Sequence, residues 1–383
     1  MKLCFLPIYI FIIFLLTYCT PFARKDKSSV PKMISVVFVP GYKGSELFRK
    51  DKDVNDSSKK VWLTAFQSLN FSSPDLTLKN EDGIIPGKVL ERVRLIPYLI
   101  DVKIYSPWLN FMSDKEGILL YTFPYDWRKD NSESAELLED FLQTVKKDND
   151  GRPPVVIGHS NGGLLTLSVL NRRKDLFAKA VFVGTPFRGG IGFMEDLIPG
   201  IPIAFNETIT APCIVQSFES VFTFFSRNEK WDTKDTLHAF NGEIGKLSYF
   251  RAEDWKKFQL GVYSSNSKCT DYKIDRFQSQ LDRAFVFRKS LDPVLSKNVP
   301  PVFVIHANNR STIRTLFGNK TDAGNWNWDF KNAKYAPGDG RVTFESSVPP
   351  PGIDYESFLT TGEHSSILNE EAVQTHILDL IRK

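Results

Sequence analysis

Several classes of protein are excluded by what the sequence lacks. No run of basic residues is long enough to bind nucleic acid, and the formal net charge of the 383 residues is only +4. The hydrophobic share of 42% and the charged share of 25% are ordinary for a globular protein, which excludes a disordered chain and a polytopic membrane protein. No internal repeat or low-complexity tract is present. With 383 residues of this composition, the chain is long enough for a sizeable globular core.

Cysteine is scarce, with four residues in the sequence. Two of them fall in an N-terminal segment described below, so only Cys213 and Cys269 belong to the folded part. In an oxidising compartment a bridge between them would contribute about 4 kcal/mol to stability, and two free buried thiols are the alternative. Neither cysteine has the neighbours of a metal site, and we expect no metal ion and no cofactor.

Residues 1–23 have the pattern of an export signal. A lysine precedes an apolar run at 3–18, which is shorter than the roughly 20 residues that span a bilayer, and basic residues follow it. The sequence LTYC resembles a bacterial lipoprotein signal and would make Cys19 the lipidated first residue. Ordinary cleavage soon after it and an uncleaved anchor are the alternatives. We expect an exported protein that is secreted, periplasmic or membrane-anchored as a lipoprotein.

Short apolar runs and amphipathic stretches alternate along most of the chain. We predict buried β-strands at 33–39, 117–123, 153–158, 179–183 and 301–306. We predict helices at 132–147, 161–172 and from about 369 to the C-terminus. This alternation predicts an α/β protein with a mostly parallel sheet that is covered by helices.

The alternation stops between residues 189 and 298, where proline, aromatic and apolar residues are mixed without a clean period. We predict that 189–298 is a cap or lid inserted over the sheet, between a first core part at 33–188 and a second at 299–383. A cap that opens onto lipid and a static cap whose aromatic residues form core are both compatible with this composition.

The sequence GHSNG at 158–162 matches the nucleophile elbow, a sharp turn that lifts a serine hydroxyl above the sheet edge. The motif alone is weak, but a predicted strand runs directly into it and a predicted helix runs directly out, which is the expected context. Ser160 is therefore the candidate nucleophile.

A serine nucleophile needs a base, and the base needs a carboxylate that orients it. Asp339 in PGDG and His364 in GEHS are loop residues that follow Ser160 in the order Ser, Asp, His of the α/β-hydrolase fold. Backbone N–H groups must also stabilise the oxyanion. Asn161 is one candidate donor, and the glycine-rich loop after the first strand offers Tyr42 or Lys43 as the second.

The other histidines fit the role of base less well. His159 adjoins the nucleophile and is expected to project away from it, while His238 lies in the predicted cap and His306 ends a strand. His376 is expected in the middle of the C-terminal helix, with Asn369 as the helix N-cap.

Seven segments together resemble the lecithin:cholesterol acyltransferase family, which includes phospholipid:diacylglycerol acyltransferases and lysosomal phospholipase A. They are VPGYKGSEL at 39–47, VWLT at 61–64, YDWR at 125–128, GHSNGG at 158–163, GTPFRGG at 184–190, GDGRV at 338–342 and GEHSSIL at 362–368. The first loop combined with YDWR is the most specific part of the pattern.

The resemblance implies an α/β-hydrolase with a cap and a lipid acyl-ester substrate. It implies the triad Ser160, Asp339 and His364, with the backbone amides of Lys43 and Asn161 as the oxyanion hole.

The resemblance also implies a structural ion pair between Asp126 and Arg128. Two departures stand out, because Arg341 replaces the usual Thr of GDGTV and cysteine is absent from 48–75, where the cholesterol-esterifying branch has a disulfide-closed loop. The absence of this disulfide-closed loop argues against transfer to sterol.

The leading hypothesis is an exported lipase or phospholipase A that works at a membrane or lipoprotein interface. An O-acyltransferase would use the same acyl-enzyme with an alcohol in place of water. A non-catalytic surface protein that retains the fold is the third hypothesis.

Overall fold

The computed structural model describes residues 33–50, 59–80, 82–96, 100–228, 231–232, 237–239, 242–243, 247–264, 274–294 and 299–383. The predicted export signal lies outside the described residues, as does Cys269. Cys213 is disulfide-bonded. Within the described ranges, no helix combines the length and the apolar character that a membrane span requires.

The described residues form strands and helices that alternate over much of the chain. The strands are β1 (Ile34–Val39), β2 (Ser45–Arg49), β3 (Lys59–Trp62), β4 (Ile84–Val89), β5 (Arg92–Ile96), β6 (Ile100–Lys103), β7 (Ile118–Thr122), β8 (Val155–His159), β9 (Lys179–Val183), β10 (Leu237–Ala239), β11 (Gly242–Glu243), β12 (Val302–Ala307), β13 (Arg310–Lys320), β14 (Trp326–Gly338) and β15 (Glu356–Thr360). The α-helices are α1 (Ala65–Ser68), α2 (Ser106–Ser113), α3 (Asn131–Asp148), α4 (Asn161–Arg172), α5 (Met194–Leu197), α6 (Pro212–Val215), α7 (Ala252–Lys257), α8 (Ile274–Ser290) and α9 (Glu371–Arg382). Short 3-10 helices lie at Lys174–Leu176, Ser220–Phe224, Gly261–Tyr263 and Ile367–Asn369.

The central sheet has six strands in the order β15-β12-β9-β8-β1-β7, and every neighbouring pair is parallel. The five predicted strands correspond to β1, β7, β8, β9 and β12, with ends that agree to within two residues and bounds that coincide for β9. The predicted α/β fold with a mostly parallel sheet is confirmed.

Helices cover both faces of the middle of this sheet, which explains why the central strands β1, β8, β9 and β12 are apolar without alternation. In β1, Val37 and Val39 pack with α3, α4 and α8, whereas Val36 and Phe38 pack with α2 and α9 on the opposite face. Successive side chains of a strand point to opposite faces, so each residue of the run meets a helix layer.

A long antiparallel hairpin, β13 and β14, follows the central strand β12 and was not predicted. It pairs with β10 in a separate four-stranded sheet. The indole of Trp328 in β14 donates a hydrogen bond to the carbonyl oxygen of Phe258, 3.0 Å away, so the hairpin packs on the chain just after α7.

Between residues 189 and 298 the described elements are short, apart from α8. The aromatic residues of the 3-10 helix Ser220–Phe224 are buried, and Phe222 packs edge to face against Trp255 with ring centroids 5.6 Å apart. The helix α8 packs on α3 and α4, and Ser290 shares a 2.9 Å hydrogen bond with Ser168. The buried aromatic residues form core here, while the cap as an inserted unit stays a prediction.

Candidate functional site

The candidate residues meet where the strands of the central sheet reach their carboxyl ends. The segment 40–44 follows β1, and we name it the oxyanion loop because it contains the predicted donor Lys43. Ser160 follows β8. Asp339 comes directly after β14, and His364 comes four residues after β15. Loops at the carboxyl edge of a parallel sheet are the usual position of a ligand site in this class of fold.

The backbone of Ser160 turns sharply between β8 and α4. Its φ of 52° and ψ of −121° lie outside the helical and extended regions, a strain that is found at functional sites. The Ser160 N–H donates to the Val183 carbonyl oxygen over 2.9 Å, which ties the turn to β9. Gly162 is required because a Cβ there would lie 2.3 Å from the Val39 carbonyl oxygen. The hydroxyl is thus lifted above the sheet edge.

The predicted triad residues are brought together in hydrogen-bond contact. His364 Nε2 lies 2.9 Å from Ser160 Oγ, and His364 Nδ1 lies 2.7 Å from Asp339 Oδ2. A carboxylate can only accept, so Nδ1 carries the proton and Nε2 is free to accept the serine proton. The His364 N–H also donates to the Asp339 carbonyl oxygen over 2.9 Å, which fixes the two loops together.

The carboxylate of Asp339 is buried but well satisfied. Its Oδ1 accepts hydrogen bonds from the backbone N–H groups of Arg341 and Val342, at 2.9 Å and 2.7 Å. Burial acts to raise the pKa of Asp339, but the contact with His364 and these two N–H groups outweigh it and leave the pKa below its usual value. Asp339 is therefore ionised at neutral pH and can orient the imidazole.

The oxyanion loop turns tightly, with the Gly44 N–H donating to the Gly41 carbonyl oxygen over 3.0 Å. Lys43 has a φ of +62°, and its carbonyl oxygen accepts from the Trp62 indole over 3.1 Å. Among the described residues, neither the Lys43 N–H nor the Asn161 N–H donates to another group of the chain. Asn161 opens the twelve-residue helix α4, whose N-terminus favours negative charge. Both predicted donors are thus available.

The side chain of Lys43 belongs to a partly buried charge cluster that also contains Arg341. Asp196 accepts from Lys43 Nζ at 3.2 Å and from Arg341 Nη2 at 2.5 Å, and Arg341 also reaches Glu195 at 3.4 Å. Burial acts to raise the pKa of Asp196, but the two cations outweigh it and lower the pKa. The residue that departs from the family pattern thus connects the turn after Asp339 to the oxyanion loop.

The YDWR segment at 125–128 contacts the oxyanion loop and Asn161 through hydrogen bonds of Tyr125. Tyr125 Oη donates to the Pro40 carbonyl oxygen over 3.1 Å and accepts from Asn161 Nδ2 over 3.0 Å. Arg128 is fully buried, with Nη2 at 2.6 Å from Asp126 and Nη1 at 2.7 Å from Asp82. The predicted ion pair of Asp126 and Arg128 is confirmed, with Asp82 as a third member that the sequence did not indicate.

A cavity of about 370 Å³ opens beside Ser160 and His364. This volume lies within the usual range for sites that hold small molecules. Its wall is largely apolar and includes Trp62, Leu63, Leu90, Val93, Ile104 and Ile203. In the described part of the chain, no group of three or more His, Cys, Asp or Glu residues could hold a metal ion.

The remaining histidines lie as follows. His159 is buried beside the site and contacts Tyr105, which the sequence did not single out. His306 is hydrogen-bonded to Ser347. His376 lies within α9, and its ring stacks on Phe358 of β15. The backbone of His238 lies in β10. The predicted N-cap Asn369 was wrong, because its side chain bonds the α2 region and α9 begins two residues later.

Comparison with known proteins gives one family match. The family model for lecithin:cholesterol acyltransferase matches residues 96–324, which is more than half of the chain. Lecithin-cholesterol acyltransferase-like 4 of Arabidopsis thaliana is 37% identical over 90% of this chain and 74% of its own length. Phospholipase A(1) LCAT3 of the same plant is 31% identical over 43% of this chain and 35% of its own length.

An uncharacterized protein of Saccharomyces cerevisiae, YJR098C, is 26% identical over 73% of this chain. The match spans 42% of the length of that protein, so the chain is similar to less than half of it. Among solved structures, a chain of the Tle4-Tli4 complex is similar to this one with a TM-score of 0.58. The match covers 91% of this chain and 98% of that chain. The sequence identity is 13%, so this likeness shows a shared fold.

Proposed function

Because the chain belongs to the lecithin:cholesterol acyltransferase family and is an enzyme of the esterase or acyltransferase type, we propose that it cleaves acyl esters of lipids through an acyl-enzyme on Ser160. One observation carries this proposal. A serine hydroxyl 2.9 Å from an imidazole, which is itself 2.7 Å from a buried carboxylate, lies beside an apolar cavity. The family resemblance predicted in the sequence is confirmed by the comparisons.

The proposed reaction follows from these contacts. Ser160 Oγ attacks the ester carbonyl carbon while its proton passes to His364 Nε2, and Asp339 stabilises the resulting imidazolium. The carbonyl oxygen becomes an anion, to which the N–H groups of Lys43 and Asn161 donate. When the C–O bond breaks, His364 returns the proton to the leaving alkoxide. Water then releases the fatty acid, whereas an alcohol in its place would give acyl transfer.

Exposed phenylalanine side chains near the mouth of the cavity favour a lipid surface as the source of the substrate. Phe66, Phe71 and Phe205 are 68%, 73% and 71% exposed. The Phe66 and Phe71 rings lie 6.0 Å apart, and the Phe205 N–H donates to the carbonyl oxygen of Ser68, which lines the cavity. Exposed apolar side chains that continue into an acyl-sized cavity favour a bilayer as the occupant, because a fatty chain can then pass without crossing water.

Export is part of the proposal as well. It rests on the pattern of residues 1–23, and the disulfide at Cys213 supports it because such bonds persist in oxidising compartments. Mass spectrometry of the mature N-terminus from fractionated cells tests it. A lipidated Cys19 or a free N-terminus soon after it is expected, and an intact N-terminus on cytoplasmic protein would contradict it.

The catalytic proposal is tested with Ser160→Ala and the matched control Ser311→Ala, which changes an exposed serine on β13. We expect the first variant to be folded and without activity on short-chain and lipid esters, and the second to match the unmodified enzyme. Product analysis with mixed phospholipid, triacylglycerol and sterol substrates separates hydrolysis from acyl transfer. Full activity in folded Ser160→Ala would overturn the proposal.

The lipid-surface proposal is tested with a triple variant in which Phe66, Phe71 and Phe205 become serine. Its control changes Leu137 and Val286, which are 60% and 62% exposed, to serine. The triple variant should lose binding to phosphatidylcholine vesicles and at least about tenfold of its activity on them, yet retain turnover of a soluble short-chain ester. Vesicle binding that is unchanged in the triple variant would exclude these residues as the contact surface.

A further inference from the structure

Three hydrogen bonds form an unbroken buried chain behind the candidate triad. The Gly41 N–H donates to Tyr105 Oη over 3.0 Å, and Tyr105 Oη lies 2.7 Å from His159 Nδ1. His159 Nε2 lies 3.0 Å from the carbonyl oxygen of His364. Both Tyr105 and His159 are only 4% exposed, and both border the cavity.

The direction of every bond in this chain is fixed by its two ends. The His364 carbonyl can only accept, so His159 Nε2 must carry the ring proton and Nδ1 must be the acceptor. The Gly41 amide can only donate, so Tyr105 Oη accepts from it and gives its own proton to Nδ1. Burial and the nearby His364 lower the pKa of His159 to about 3, which keeps its ring neutral as this arrangement requires.

The chain joins the three segments that the proposed reaction must hold in register. Gly41 belongs to the oxyanion loop, His159 directly precedes Ser160, and His364 is the proposed base. The approach is close, because a Cβ on Gly41 would lie 2.9 Å from Ser160 Cβ and 3.1 Å from His159 Nδ1. A small shift of any member therefore changes the geometry of attack.

Tyr105 itself is held in place from the opposite side. It precedes α2, its N–H donates to the Glu91 carbonyl oxygen over 3.0 Å, and its ring packs edge to face on Phe38 with centroids 5.0 Å apart. These contacts with the core fix the Tyr105 hydroxyl in its place in the hydrogen-bond chain.

We propose that Tyr105 and His159 are positioning residues, which hold the oxyanion loop and the base in register with the nucleophile. The proposal rests on the proposed function. Neither residue touches the reacting atoms, and each acts through the backbone of a residue that does. A misplacement of about 1 Å can slow an enzyme by about 100-fold.

Tyr105→Phe removes only the hydroxyl and keeps the packing of the ring. We expect kcat on a soluble short-chain ester to fall about 10- to 100-fold, less than the ~100- to 1,000-fold for loss of a whole oxyanion donor. KM should change by less than about twofold, because the phenylalanine ring keeps the apolar place that Tyr105 has in the cavity wall, and labelling of Ser160 by a fluorophosphonate should slow in parallel. His159→Gln should give a similar loss, and the double variant should be no worse than the poorer single variant.

Matched controls are Tyr335→Phe, which removes an exposed hydroxyl, and His306→Gln, which replaces a buried imidazole outside the site. Both should leave kcat unchanged, although the second lowers stability. Folded Tyr105→Phe with unchanged kcat and a lowered melting temperature would overturn the positioning role, as would failure of both Tyr105→Phe and His159→Gln to fold. Failure of the proposed function is distinct, because the unmodified enzyme would then be inert to esters and to the fluorophosphonate.

Discussion

Mild acid is expected to destabilise the protein through two buried imidazoles. Burial, together with the neighbouring His364, lowers the pKa of His159 to about 3, and burial lowers the pKa of His306 to about 4. Both side chains titrate near 6.5 in an unfolded chain. The folded protein therefore holds both rings neutral in a pH range where the unfolded chain protonates them.

The sign of the effect follows from proton linkage. As the pH falls, the unfolded chain takes up protons before the folded protein does, so the free energy of unfolding decreases. This stability is fully present above about pH 6.5 and is lost as the pH falls towards the folded-state pKa values. Inside the window the slope is about 1.4 kcal/mol per pH unit for each imidazole, which gives roughly 2 kcal/mol for each one between pH 7 and pH 5.

The assay is urea unfolding followed by tryptophan fluorescence at several pH values, for the unmodified protein and for His306→Gln. His306 Nδ1 lies 2.7 Å from Ser347 Oγ, a contact that a glutamine amide can also make. Glu195, whose pKa is raised by burial, opposes the trend but does so equally in both proteins. We expect the unmodified protein to lose roughly 2 kcal/mol more than the variant between pH 7 and pH 5. Parallel curves would refute the reasoning.

Three further predictions concern single side chains. His364→Ala should lower turnover by at least about a thousandfold, whereas His376→Ala should change stability only, and steady-state kinetics of the two folded variants decides between them. Arg128→Met should lower the free energy of unfolding by about 3 to 5 kcal/mol, because it leaves Asp126 buried without its cation, and urea unfolding measures this. Gly162→Ala should lower the melting temperature by several degrees or more and slow fluorophosphonate labelling, because its Cβ would lie 2.3 Å from a backbone oxygen of β1; an unchanged melting temperature would contradict the close approach.

Four strands of the parallel sheet, β1, β8, β9 and β12, could be predicted because they are almost wholly buried and appear as continuous apolar runs, unlike the mostly exposed edge strand β15. The hairpin of β13 and β14 could not, because the register between its strands shifts twice, between Ile313 and Thr315 and between Thr315 and Phe317. Each shift interrupts the period of two on which strand prediction depends. The buried residues of β13 therefore do not alternate regularly with exposed ones.

The residues of the candidate triad could be predicted because their types, loop contexts and order along the chain are characteristic. Their catalytic roles stay proposals. The supporting residues carry no such signal, because tertiary structure alone brings them together. Tyr105 lies 54 residues from His159, and Asp196 lies 145 residues from Arg341. The prediction for Asn369 was wrong for the same reason, because its side chain bonds Ile104, a contact 265 residues apart that local capping rules cannot anticipate.

Arg341 shows how a departure from the family pattern is accommodated. It pairs with Asp196, the buried member of the pair, which requires a cationic partner because an unpaired buried charge is strongly destabilising, whereas Arg341 is only partly buried. The same carboxylate holds Lys43, whose backbone N–H is the proposed oxyanion donor. The guanidinium also lies over the ring of Phe193, 4.7 Å from its centroid, so the residues just before and at α5 form most of its surroundings. Replacing Arg341 alone would leave Asp196 paired with Lys43 only, which would change the charge balance beside the oxyanion loop. We therefore expect substitutions at Arg341 and Asp196 to occur together or not at all.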